Sequence, residues 1–171
     1  MKPVLFSTAL LAAFATWSLA QTKPSPPAEA HVTIDGKLIS IKYSAPSMRG
    51  RHIFGGLVPY GKVWRAGANE ATALHTDADL EFADLKVPKG DYTLYILPED
   101  NRWTLIVNKQ TGQWGTEYDQ AQDLGRVPLE LSKAPSPIER FQITLSSKGG
   151  KSGRLQFAWD TTVATIGFSA H

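Results

Sequence analysis

The chain has 171 residues, 18 Lys and Arg against 16 Asp and Glu for a net charge of +2, and no cysteine. Charge this balanced, spread along the sequence, makes nucleic acid an unattractive partner. Without thiols there is no disulfide, no thiolate nucleophile and no Cys-based zinc site, so packing alone must hold the fold.

Residues 1–20 read as a secretory signal peptide: a basic start at Lys2, an apolar stretch from Val4 to Trp17, and small residues at Ser18 and Ala20 before Gln21. Cleavage after Ala20 and export to the periplasm or the medium are expected. The apolar stretch, interrupted by Ser7, Thr8 and Thr16, falls short of the roughly 20 apolar residues that cross a bilayer. No later stretch comes closer, so no transmembrane segment is expected once the signal is removed. Residues 21–30, with Pro24, Pro26 and Pro27, read as a flexible Pro-rich leader, and residues 31–171 as one domain.

The domain opens with a hairpin expected over 31–44, where Asp35-Gly36 separates two alternating runs and Gly accepts the positive φ of a tight turn. From 45 to 70 the period is broken by Pro46, Gly50, Gly55, Gly56, Pro59, Gly61 and Gly67, which predicts a long structured loop. Strands are predicted over 72–76, 80–85, 92–97, 103–108, 126–131, 139–146, 154–159 and 162–168, with one short helical piece over 118–124. Alternation is cleanest where Phe141, Ile143, Leu145 and then Leu155, Phe157, Trp159 each share a face, so these six are the predicted core. About ten strands without a crossover helix imply an all-β fold, an antiparallel two-layer β-sandwich or jelly roll.

The text Arg49-Gly50-Arg51, Ile53-Phe54-Gly55, 57–65 (LVPYGKVWR), 67–72 (GANEAT), 88–94 (PKGDYTL) and Gln113-Trp114-Gly115 resembles a family of exported bacterial proteins classed as a domain of unknown function. The resemblance runs from about residue 31 to 160 and implies an exported, β-rich single domain with no assigned activity.

The densest group of interacting side chains lies at 64–70. Arg65 offers a planar fork of donors to a carboxylate or phosphate, Asn69 offers donor and acceptor together, Glu70 can serve as acid, base or acceptor, and Trp64 presents a flat face. The competing reading is structural, with Arg65 paired to Glu70 and Asn69 fixing the turn. Arg49 and Arg51, with Tyr60 nearby, could converge with Arg65 on a pocket for a small polar or anionic ligand, or lie on aromatic faces as packing.

Metal and cofactor sites are not expected: the histidines, His31, His52, His75 and His171, lack ligand spacing, and the acidic run after His75 reads as a solvated strand face or edge. No nucleophile motif is present. The readings that follow are a binding or structural module for a small polar or anionic ligand and, alternatively, a hydrolase of a carbohydrate or other small polar substrate. In the latter Glu70 is acid or base, with Asp119 or Asp123 the first partner to examine. Trp103 and Trp114 read either as a sugar-stacking platform or as ordinary packing.

Overall fold

The Asp35-Gly36 turn forms as its sequence requires, both residues left-handed at φ 51° and 74°. It joins β1 (Pro27–Ile34) to β2 (Lys37–Ser44) with Ile34 opposite Lys37. The computed structural model describes residues 25–171; the signal-peptide reading lies outside the described residues. β3 (Thr72–Thr76), β4 (Leu80–Phe82), β5 (Leu85–Val87), β6 (Gly90–Pro98), β7 (Trp103–Asn108), β8 (Asp123–Gly149) and β9 (Ser152–Ala170) follow. All pair antiparallel in one sheet of order β1-β2-β3-β6-β7-β8-β9-β4-β5, so the chain is all-β as predicted.

Part of the segment expected as a flexible leader is a strand, and its residues 21–24 lie outside the described residues. Pro27–Ala30, read as flexible, belong to β1 and pair with Ile41–Ser44. Pro27 is tolerated because β1 is an edge strand, where a missing N–H costs no ladder bond.

Strands expected over 126–131 and 139–146 are parts of the single β8, and those over 154–159 and 162–168 are parts of β9. Pro135 and Pro137 do not end β8, because they fall where the pairing with β9 slips between Lys133 and Ile138 and no ladder donor is required. Asp160, left-handed at φ 54°, plays the corresponding part in β9. In contrast, the run expected over 80–85 is cut at Ala83, φ 50°, into β4 and β5. The short helical piece is one 3-10 turn, Gln120–Gln122, capped where Asp119 Oδ1 accepts from the Ala121 N–H at 2.9 Å.

β8 changes partners along its length. Residues up to Leu129 pair with β7, and from Glu130 onward the partner is β9, which lets the sheet turn over a common core. β1 also packs against β8, five places away in the sheet. The predicted core residues fill that interior: Phe141, Leu155, Phe157 and Trp159 are each 1% exposed. Each such side chain contributes roughly 1.5–3 kcal/mol of hydrophobic stabilisation. Among the described residues no helix is long and apolar enough to cross a membrane.

The loop over 45–70 is pinned at three places. Ser47 bridges Arg140 of β8, Trp64 bridges Ile96 of β6, and Glu70 bridges Trp114. Its apolar residues Ile53, Phe54, Val58 and Ala66 are buried in the core, so this segment is a packed layer of the domain. That packing fixes where its arginines stand.

Candidate functional site: an arginine-lined cavity

Trp64 carries the loop's second anchor into an aromatic cluster. Its ring stacks on Trp159 with centroids 5.9 Å apart and planes inclined by 19°, and meets Phe54 and Phe141 edge-on. Above these rings opens a cavity of about 330 Å³, bordered by the 46–51, 57–58 and 64–69 stretches of the loop, by Trp159 and by Ser25. Of the seven predicted ligand-binding residues, Arg49, Arg51, Trp64, Arg65 and Asn69 line it. No Asp or Glu does.

The three arginines are held differently. Arg51 folds back onto its own loop, where Nε and Nη2 donate to the carbonyls of Met48 and Ser47 at 2.9 and 2.7 Å. The Arg49 backbone, left-handed at φ 49°, donates its N–H to Glu139 Oε1 at 2.9 Å, tying the cavity rim to β8. Arg65 is half-buried, and its Nε is buried without a hydrogen-bond acceptor. Among the described residues no carboxylate pairs with it. Burial pushes its guanidinium down from the ordinary arginine value, yet that value is so high that the group stays charged.

Backbone geometry explains the convergence. Ala66 and Asn69 are left-handed at φ 48° and 58°, an uncommon conformation for residues with a β-carbon, and they curl the 64–69 stretch around the cavity. Thr72 Oγ1 donates to the Ala66 carbonyl at 2.8 Å, and the Asn69 amide donates to the Ser25 carbonyl at 3.2 Å. The Asn69 side chain thus holds the start of the described chain at the cavity edge rather than bonding within its own turn.

Tyr60 and Glu70 stand elsewhere. The Tyr60 ring covers Gly55, where an added β-carbon would sit 2.9 Å from its Cε2. Glu70 faces a separate depression shared with Tyr43 and Gln113. Asp119 caps the 3-10 turn, and Asp123 accepts from Asn108, Tyr118 and Arg126. Burial, with help from Asp123, pushes the Tyr118 phenol up to about 12. Trp103 is buried against Phe54 while Trp114 is 46% exposed, so the two do not form a platform.

His75 sits half-exposed on β3, but the acidic run expected as one strand face or edge does not stay on it: Asp77 and Asp79 lie in the connection between β3 and β4, and Glu81 is on β4. The His75 Nδ1 lies 2.8 Å from Asp91 and its Nε2 lies 3.2 Å from Asp77. The hydrogen bond to Asp91 is the largest influence raising its pKa above the ordinary 6.5.

Sequence reasoning missed Leu57, Val58 and Trp159 as cavity residues, and Gly115 beneath Arg65. Only alternation flagged Trp159, and alternation reports burial without saying which loop lies above. The model of a family described as Protein of unknown function (DUF2911) matches residues 25–168. The chain belongs to that family. The match spans β1 to β8 of this DUF2911 domain, β9 as far as Phe168, and the whole loop that builds the cavity. Comparison with curated proteins and with solved structures finds no match.

Proposed function

We propose that this chain is an exported binding module that holds a small oxyanion, a carboxylate or phosphate, in the arginine-lined cavity. The observation that carries the reading is Arg65: a half-buried cation whose Nε lacks an acceptor, in a cavity lined by two further arginines and, among the described residues, by no acidic side chain. A desolvated charge without a partner is costly, and an oxyanion paired with the terminal nitrogens of the guanidinium offsets that cost. Arg51, held by backbone carbonyls, adds positive potential at the rim, which favours capture of an anion.

Export is supported by the basic, apolar and small-residue order of positions 1–20. N-terminal sequencing of the protein recovered outside the cytoplasm should begin at Gln21.

Thermal denaturation at constant ionic strength tests the binding reading. Inorganic phosphate should raise the Tm of the wild-type protein with the logarithm of its concentration above Kd, by about 2.7 kcal/mol of added stability at a hundredfold excess over Kd. Arg65→Gln should lose that rise. An equal rise in both proteins would reduce the effect to general salt stabilisation.

A further inference from the structure

We infer that the natural ligand of the cavity is an oxyanion carried on a ring-sized apolar body, and that a bare anion is a poor substitute for it. The inference rests on the anion-binding reading and narrows its ligand class. Three observations point to the body.

The cavity of about 330 Å³ has room for about ten water molecules, far more than one carboxylate or phosphate group displaces. A bare anion would leave most of that space wet.

Beside its cations and the polar Ser25, Ser47 and Asn69, the cavity has an apolar wall that includes Pro46, Leu57 and Trp64. Both indole N–H groups are already used, Trp64 Nε1 donating to the Gly67 carbonyl and Trp159 Nε1 to the Glu139 carbonyl, each at 3.2 Å. Trp159 is buried beneath, so the Trp64 indole is the one that offers a ligand apolar surface, and it offers no donor, which suits a ring or its C–H face rather than a hydroxyl.

Leu57 is 46% exposed on the same cavity wall. A large apolar side chain held at a site by a rigid turn, with Val58 N–H bonded to the Ile53 carbonyl at 2.8 Å, gains when a ligand covers it. Charge and apolar surface in one concavity select a ligand that has both.

Isothermal titration of the purified protein with phenyl phosphate, benzoate, inorganic phosphate, acetate and benzamide tests this. Phenyl phosphate should bind about tenfold or more tighter than inorganic phosphate, and benzoate likewise relative to acetate, with benzamide weakest of the ring compounds. The preference of the ring-bearing phosphate over the carboxylate, or the reverse, identifies the head group. Leu57→Ser, at an exposed position, should bring the phenyl phosphate to phosphate ratio toward one while the protein melts as a folded domain.

Equal binding of phenyl phosphate and inorganic phosphate would overturn this inference and leave the anion-binding reading standing. Equal binding of benzamide and benzoate would overturn the anion-binding reading itself. Absence of binding by all five probes would contradict both.

Discussion

The side chain of Arg65 crosses the backbone of Gly115 so closely that a β-carbon at position 115 would overlap its Cδ and stand 2.7 Å from the Asn69 carbonyl oxygen. Position 115 therefore decides where the Arg65 guanidinium points. Gly115→Ala should force the arginine out of its groove, lowering stability by about 1–3 kcal/mol as overpacking does. It should also abolish the phosphate-dependent rise in Tm. Retention of that rise would show that Arg65 does not depend on the groove.

Arg65 itself should show the trade between stability and function that an unpartnered, half-buried cation implies. Arg65→Met keeps the apolar stem over Gly115 and removes the charge. In phosphate-free buffer its unfolding free energy, read by urea titration, should equal or exceed that of the wild type, by up to about 1 kcal/mol. A loss of more than that would mean the charge has a stabilising partner in the folded chain.

Gly153 supplies the contrast. A β-carbon there would overlap the Phe168 ring, inside the β9 layer and away from the cavity lining. Gly153→Ala should destabilise by about 1–3 kcal/mol while phosphate affinity of the folded protein stays unchanged. Weakened affinity would indicate that the cavity responds to the packing of the whole sheet.

The pH dependence of stability follows from His75. Its folded-state pKa is raised, chiefly by the hydrogen bond to Asp91, so the folded state binds the proton more tightly than the unfolded chain. The resulting stabilisation is fully present below the unfolded value of 6.5 and is lost as pH rises through the higher folded value. His75→Gln should flatten the fall in Tm above pH 6.5, by a modest amount because the site is exposed and screened. An unchanged slope in the variant would assign the pH dependence to other groups.

Much of this architecture was readable before any coordinates. Phe141, Ile143 and Leu145 reveal their shared face because successive strand residues point to opposite sides, and the Asp35-Gly36 turn declares its hairpin by the φ values it requires. The continuity of β8 was hidden, since Pro135 and Pro137 normally end a strand and only the register slip against β9 excuses them. The site was legible in composition and partly illegible in geometry. Arg65 and Glu70 are near neighbours in sequence, but the left-handed turn at Asn69 and the Glu70 bridge to Trp114 send them to different depressions. Local strain of that kind depends on tertiary contacts, and residue types alone do not announce it.

The central claim is that the Arg65 guanidinium receives an oxyanion, and arginine-selective nitrogen-15 NMR observes that group directly. With the Arg65 guanidinium Nη–H resonances assigned from their disappearance in Arg65→Lys, titration with phenyl phosphate should move them downfield and saturate, as a new acceptor takes up their protons. Resonances that stay in place through saturating phenyl phosphate would contradict the account.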